Sequence, residues 1–164
     1  MGYGRHGKDT VADILREHYG LKIANSSWFV AEKAVFPTLS AKYGYATVEL
    51  CYADRHNHRT EWFDLIKAYN NPDLARMSRE IFETNDVYVG IRNDQEFFSA
   101  REEKLFDISI WVDARKRVPA LESYHSCTVN PLMCDYILDN NHSMDFTYYH
   151  LLYIMRQARE TIII

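Results

Sequence analysis

The residues best placed to do chemistry are the glycines and the lysine near the start of the sequence. Gly2 and Gly7 bracket four residues and Lys8 follows, so that positions 2–10 read Gly-Tyr-Gly-Arg-His-Gly-Lys-Asp-Thr. This is the spacing of a phosphate-binding loop, in which glycines allow the backbone to turn its N–H groups inward around an anion. The lysine reaches the outer phosphates, and the helix that follows directs its positive end at the same charge. The alternative, a glycine-rich turn before a helix, is disfavoured because an apolar helical face follows Lys8.

The loop departs from the plain pattern at its last position. Asp9 stands where a serine or threonine usually holds Mg²⁺, and Thr10 comes one step later. Both side chains are therefore candidate metal ligands. The side chains and amides of the whole loop are candidate ligands of ATP phosphates, namely Gly2, Gly4, Arg5, His6, Gly7, Lys8, Asp9 and Thr10.

A buried strand should lead into such a loop, yet only Met1 precedes Gly2. The sequence ends in Thr-Ile-Ile-Ile at positions 161–164, a β-branched run of the kind found in buried strands. One hypothesis is that this run fills the place of the missing strand, from the same chain or from a partner in a homodimer. The other is that the chain is a fragment truncated at its start.

Composition narrows the class of protein. The 164 residues predict one domain, and 47% hydrophobic with 26% charged residues is ordinary for a globular protein. The net charge of −4 argues against a nucleic-acid partner. Three cysteines without CxxC spacing indicate neither a disulfide framework nor a zinc site, which favours the cytoplasm. No apolar run reaches 18 residues, so we expect no membrane span.

Helical and strand patterns alternate along the chain, which predicts an α/β fold. With the loop, this alternation favours a P-loop NTPase-like three-layer sandwich, in which helices flank a central parallel sheet. Strands are expected at 21–24, 87–91, 108–112 and 136–138. Helices are expected at 9–18, 28–43 with an interruption at Pro37, 60–69, from Pro72 through Ile81, 95–104 and after Ser143.

Arginines follow several of these strands or lie in loops. Ligands of parallel sheets bind at the carboxyl ends of the strands, and phosphoryl transfer needs cations around the phosphates. The candidates are Arg92, Arg115 and Arg117 after strands, and Arg55 and Arg59 in an earlier loop. The last two flank a His-x-His pair, for which we do not expect a metal because no third ligand recurs at suitable spacing.

Four segments together carry a family resemblance. They are the loop ending in Gly-Lys-Asp-Thr, residues 87–96 (Val-Tyr-Val-Gly-Ile-Arg-Asn-Asp-Gln-Glu), Trp-Val-Asp at 111–113 leading into arginines, and Asp-Tyr-Ile-Leu-Asp-Asn at 135–140. In this order they resemble the phage-type deoxynucleoside monophosphate kinases. The resemblance spans most of the chain, and the loop is its most specific part.

The resemblance implies transfer of the γ-phosphoryl group of ATP, with Mg²⁺, to a (deoxy)nucleoside monophosphate. In that case the small-molecule nucleotides are the partners, and the setting is the cytoplasm, that of the host if the protein is phage-encoded. Residues 25–80 would form the monophosphate-binding region and residues 113–131 a short lid. Lys8, Arg92, Arg115 and Arg117 would serve catalysis, Arg55, Arg59 and Arg92 would bind the acceptor, and Asp139 and Asn140 would lie near the adenine.

Two other functions stay open at the level of sequence. A phosphomevalonate-type kinase is a small-molecule P-loop kinase whose loop also carries Gly-Lys-Asp. The second is a nucleotide-binding regulator without turnover. It is considered because Gly90 stands near a strand end where an acidic residue often supports the metal. The choice of base and sugar is left open as well.

Overall fold

The structure is a computed structural model that describes residues 1–119 and 127–162. Helices predominate, and four short strands lie between them. The helices are α1 (Lys8–Tyr19), α2 (Ser26–Val30), α3 (Phe36–Tyr43), α4 (Val48–Ala53), α5 (Arg59–Tyr69), α6 (Arg76–Phe82), α7 (Asp94–Glu102) and α8 (Met144–Ile162), and the strands are β1 (Ile23–Asn25), β2 (Val87–Val89), β3 (Ile110–Asp113) and β4 (Tyr136–Asp139).

The strands form two parallel pairs, so the chain has the predicted mixed α/β character. In one pair Ala24 of β1 lies opposite Tyr88 of β2, and in the other Trp111 of β3 lies opposite Ile137 of β4. Within the described residues these pairs are separate two-stranded sheets, whereas the sequence predicted one central sheet. The helices of this part of the chain include none with the length and apolar character needed to cross a membrane.

Met1 lies on the free edge of β3 and sets the position of the loop that follows. Its amino group donates to the carbonyl of Ile110 (2.6 Å), and its carbonyl accepts from the amide of Val112 (2.9 Å). These are the two bonds of a parallel pair with Met1 opposite Trp111. A Cβ on Gly2 would lie 2.5 Å from the carbonyl oxygen of Val112, and its φ is 138°, so this close approach requires glycine.

Two apolar clusters lie on opposite sides of β3, because successive side chains of a strand point to opposite faces. Trp111 belongs to the cluster that includes Phe97, and Val112 to the cluster that includes Leu138. α1 and α8 cover the Val112 side. Buried on both faces, β3 is held rigidly, and its carboxyl end at Asp113 has a fixed position beside the loop.

The predicted helices are present, with a later start at Arg76 for the helix expected from Pro72 and a local difference before Pro37. The chain is helical without a break from Ser26 to Tyr43, and residues Ala31–Val35 form a wider π-helical turn in which the amide of Phe36 bonds to Ala31. Pro37 follows in the first turn of α3, where its missing N–H is tolerated. The irregularity therefore comes before the proline and does not interrupt the helix.

The hypothesis of a C-terminal strand is wrong where the structure describes it. Thr161 lies in the last turn of α8, which ends at Ile162, and the Thr161 hydroxyl donates to the carbonyl of Gln157 (3.0 Å). Ile163 and Ile164 lie outside the described residues. So do residues 120–126, which fall within the lid expected at 113–131.

Candidate phosphate-binding site

The loop at residues 2–7 is a tight turn that leads directly into α1. Arg5 and Gly7 have φ of 62° and 88°, both in the left-handed region. Gly7 occupies the N-cap position of α1 and has no side chain, so no side-chain oxygen caps the first turn of the helix. The amino end of α1 therefore presents main-chain donors and the positive end of the helix dipole beside the loop.

Lys8 is the first residue of α1, and its side chain folds back over the loop. Its ammonium donates to the carbonyl of Tyr3 at 2.6 Å. This contact holds the cation next to the main chain that a phosphate would approach. Lysine suits the role because its ammonium is a compact charge with three rotatable donors on a flexible stem.

His6 is fully buried and joins the loop to the segment after β3. Its Nδ1 accepts from the amide of Ala114 (3.1 Å), and its Nε2 lies 3.0 Å from the carbonyl of Val118. Nδ1 is therefore the acceptor of the first bond and Nε2 the donor of the second. The side chain of His6 therefore positions the loop, and its ring faces the protein interior.

Asn140 is the second buried connection to the loop. Its side-chain amide donates to the carbonyl of His6 (2.9 Å), and its Oδ1 accepts from the hydroxyl of Thr147 (2.7 Å) in α8. Its main chain accepts from Nε of Arg117 (2.7 Å) and donates to Asp113 (2.8 Å). Asn140, expected near an adenine, is thus a residue that holds the loop, β3 and α8 in place.

Asp113, at the carboxyl end of β3, is an acidic group that the sequence-based site did not include. It binds Arg115 through two parallel hydrogen bonds, Nε to Oδ1 at 2.9 Å and Nη2 to Oδ2 at 2.8 Å. The Arg115 guanidinium holds the pKa of this carboxyl below its ordinary value. Oδ1 also lies 4.0 Å from Nδ1 of His6. The signal that would have found Asp113 is its position directly after a buried strand.

Asp9 and Thr10 are exposed in the first turn of α1, at the mouth of the loop. One oxygen of Asp9 accepts from the side-chain amide of Asn25 (3.2 Å), at the carboxyl end of β1. No group of three potential ligands that could hold a metal occurs in residues 1–119 and 127–162. Mg²⁺ bound with a nucleotide needs only one or two protein oxygens beside phosphates and water, and Asp9 with Thr10 fits that requirement.

The predicted strand-end residues lie at the carboxyl edges of their strands. Arg92 is exposed beyond β2, and its carbonyl accepts from the amides of Thr128 (2.9 Å) and Val129 (3.2 Å). Arg115 and Arg117 follow β3, on the segment that His6 contacts. Asp139 ends β4 and accepts from the amide and side chain of Asn141 (2.9 and 2.7 Å), which is turn chemistry.

Arg55 and Arg59 make contacts with residues of their own segment. Arg55 donates to the carbonyl of Tyr52 (2.9 Å) and stacks on its ring, 4.1 Å from the centroid. Nη2 of Arg59 lies 3.4 Å from Nδ1 of His56. His58 lies between Asp54 (3.1 Å) and Glu61 (3.3 Å). The role of Arg55 and Arg59 in acceptor binding stays a prediction.

Comparison of the chain with known protein families, with curated proteins and with solved structures found no match.

Proposed function

We propose that the chain is a P-loop kinase that transfers the γ-phosphoryl group of ATP to a (deoxy)nucleoside monophosphate. The observation that supports this most is the grouping at the amino end of α1. The Lys8 ammonium, an uncapped helix N-terminus and a left-handed glycine turn meet beside Asp113 and its arginines. Main-chain donors and a mobile cation are the groups that bind β- and γ-phosphates.

The proposal includes the P-loop three-layer sandwich as the fold. It is supported by the parallel direction of both strand pairs and by Met1, which pairs with β3 on the edge away from β4. In this fold the two pairs are two parts of one sheet, with the loop at its carboxyl edge. Ligands of parallel sheets bind at that edge.

Each residue then has a defined task. The loop amides and Lys8 hold the β- and γ-phosphates, and Arg92, with Arg55 or Arg59 from the monophosphate-binding region, holds the acceptor phosphate in line. Arg115 or Arg117 neutralises charge on the phosphoryl group in transit, because catalysis of this reaction is mainly positioning and electrostatics. Asp9 and Thr10 would hold Mg²⁺, which would supply charge neutralisation to the bound phosphates.

The test is an ADP-release assay with Mg-ATP and each deoxy- and ribonucleoside monophosphate in turn. We expect turnover with one or more of these acceptors. Lys8→Ala should lower kcat by at least about 100-fold, the scale of losing one main electrostatic donor. Lys22→Ala is the matched control, since Lys22 is exposed ahead of β1, at the end of the strand away from Asn25 and Asp9.

The other candidate functions give distinct results in the same assay. Turnover with phosphomevalonate and with no nucleotide acceptor would mean a different small-molecule kinase. ATP binding by calorimetry without ADP release for any acceptor would mean a nucleotide-binding regulator. Equal rates for the Lys8→Ala and parent chains would contradict the proposal.

A further inference from the structure

The side chain of Asn25, at the end of β1, forms hydrogen bonds with two different helices. Its Oδ1 accepts from the amide of Ser27 (3.0 Å), so Asn25 is the N-cap residue of α2. Its Nδ2 donates to Oδ1 of Asp9 (3.2 Å), in the first turn of α1. One side chain therefore connects the start of α2 with a carboxylate at the mouth of the loop.

The cap determines which way the Asn25 amide faces. A main-chain N–H only donates, so the side-chain oxygen must lie towards Ser27 and the nitrogen towards Asp9. The main chain of Asn25 is fixed in turn by the parallel strand pair, in which it lies opposite Val89. A donor with a defined position therefore holds one oxygen of the Asp9 carboxylate. In the part of the chain that the structure describes, the other oxygen, Oδ2, has no hydrogen-bond donor and is open to a ligand.

Capping alone does not require an amide at position 25. Asn93 caps α7 with nearly the same main-chain geometry, φ of −94° and ψ of 125° against −98° and 126° for Asn25. Its side-chain oxygen accepts from the amide of Glu96 (3.0 Å). Serine or aspartate caps a helix about as well as asparagine, because only an oxygen is needed. The nitrogen of Asn25 therefore has a role that capping does not explain, and its described contact is with Asp9.

Position 90, at the end of the neighbouring strand, can offer no side chain to this junction. Gly90 directly follows β2 with φ of 115°, and a Cβ there would lie 2.4 Å from Oγ of Ser26. A side chain at position 90 would thus displace the start of α2. The carboxylate that reaches this junction comes from α1 instead, through the bond between Asp9 and Asn25.

We propose that Asn25 is a positioning residue for the magnesium site, because its amide nitrogen holds one oxygen of Asp9 and leaves the other for the metal ion. This inference rests on the proposed function, in which Asp9 and Thr10 would hold Mg²⁺. Magnesium demands near-ideal octahedral geometry, and a carboxylate already held in one orientation loses less side-chain entropy when it binds. Hydrogen bonds to a metal ligand from outside the coordination shell typically change metal affinity by about 10- to 100-fold.

Calorimetry with ATP tests this role without relying on turnover. Asn25→Ser keeps an oxygen for the cap but removes the donor to Asp9, and Asn93→Ser makes the same change at the matched cap. The measured quantity is the factor by which saturating Mg²⁺ strengthens ATP binding relative to excess EDTA. We expect this factor to fall by about tenfold in Asn25→Ser and by less than about twofold in Asn93→Ser. The ATP affinity in EDTA should be the same in both variants and the parent chain.

Three results overturn this proposal while ATP binding itself stays in place. The first is an equal factor for Asn25→Ser and the parent chain, and the second is a parent chain whose ATP binding Mg²⁺ does not strengthen. The third is a loss of ATP affinity in Asn25→Ser that is as large in EDTA as in Mg²⁺, because Asn25 would then act on the loop and not on the metal. A parent chain that does not bind ATP at all would overturn the proposed function together with this inference.

A double-mutant cycle shows whether Asn25 acts through Asp9. Asp9→Ala removes the carboxylate, so Asn25→Ser in that background should change the Mg²⁺ factor by less than about twofold, because residues that act as a unit are not additive. A further fall of about tenfold would overturn the assignment of Asn25 as the residue that positions Asp9.

Discussion

Arg115 is held by Asp113 in the structure. The guanidinium is half exposed and makes two charge-assisted bonds to one carboxylate. A phosphoryl group offers the same bidentate geometry with more charge, and arginine matches it better than lysine does.

We predict that Arg115→Ala lowers kcat by about 100-fold, while Arg115→Lys retains more activity through its charge alone. The measurement is steady-state kinetics with the preferred acceptor. Lys116→Ala is the control, because the Lys116 ammonium is a neighbouring cation with no described hydrogen bond to Asp113. A loss in Lys116→Ala as large as that in Arg115→Ala would assign the effect to the net charge of the segment.

Glu96 is a buried carboxyl that binds two neutral hydroxyls. It is 5% exposed and accepts from the hydroxyls of Tyr88 (2.8 Å) and Ser78 (3.1 Å). Burial raises its pKa from 4.5 to about 7, which those two hydrogen bonds partly oppose. The folded state therefore binds this proton more tightly than the unfolded state, and the associated stability is present below about pH 4.5 and lost as pH rises through 7.

We predict that the stability of Glu96→Gln does not fall in this way as the pH rises. The difference in Tm between the variant and the parent chain should therefore shift in favour of the variant from pH 5 to pH 8. The full effect corresponds to about 3 kcal/mol, because the pKa of Glu96 rises from 4.5 to about 7 and each pKa unit is worth about 1.4 kcal/mol. Thermal unfolding across this pH range measures it. Glu102→Gln, on the exposed face of the same helix, should leave the pH profile unchanged. A parallel profile for Glu96→Gln and the parent would refute the assignment.

The left-handed turn of the loop follows from the sequence, because turn chemistry depends on local spacing: Gly7 takes the conformation that the motif predicts. Lys8, expected to reach the outer phosphates, donates to the carbonyl of Tyr3, and its phosphate role stays a prediction. Asn25 and the buried role of Asn140 do not follow from the motif. Their partners, Asp9 and His6, are distant in sequence, and no local pattern encodes contacts of that kind.

At the scale of elements, the junction between the loop and α1 depends on Gly7. A Cβ at this position would lie 2.4 Å from the side-chain nitrogen of Asn140, the group that holds the His6 carbonyl. At Gly20, which ends α1 with φ of 69°, no heavy atom lies within 4 Å of an added Cβ. Both positions are left-handed, so the two glycines differ mainly in their surroundings.

We predict that Gly7→Ala destabilises the protein by more than about 2 kcal/mol and weakens ATP binding, while Gly20→Ala costs about 1 kcal/mol and leaves binding unchanged. Chemical denaturation and calorimetry with ATP provide the two measurements. Equal losses of stability in the two variants would show that Asn140 moves without cost.

The sequence predicted the helices more accurately than the conformation of residues 161–162, because tertiary packing decides that conformation. The helical spacing of Leu151, Ile154 and Ala158 buries one face of α8. That burial carries the helix through Thr161, although isoleucine and threonine favour strands. Tertiary packing decided the conformation where local propensity pointed the other way. The same limit applies to β1, which begins two residues later than the strand expected at 21–24.

For the whole molecule, β4 offers a test of how much the inner packing contributes. Leu138 is fully buried in the Val112 cluster, and Ile137, its neighbour on the opposite face, is 47% exposed. We predict that Leu138→Ala costs about 2–5 kcal/mol and Ile137→Ala less than about 1 kcal/mol. Urea denaturation compares them. Similar losses would mean that the outer face of β4 is covered in solution.

The sequence predicts that parallel strands exist but not how they assemble. Each strand is recognised from its own apolar residues, as at Val87, Val89 and Ile110. Pairing depends on contacts between segments far apart along the chain, and β2 and β3 have no direct pairing in the described structure. Local sequence pattern therefore predicts the strands, but it does not decide whether they form a single central sheet.

The long-range hydrogen bonds that hold the loop also determine when the loop forms during folding. Met1 bonds to residues more than 100 positions away, and the His6 carbonyl bonds to Asn140, 134 positions along. Contacts of such separation close late, because chain closure is entropically costly and slow. During synthesis the loop cannot take its final position before Asn140, 134 positions after His6, has been added. In refolding, recovery of ATP affinity should accordingly coincide with the slowest phase.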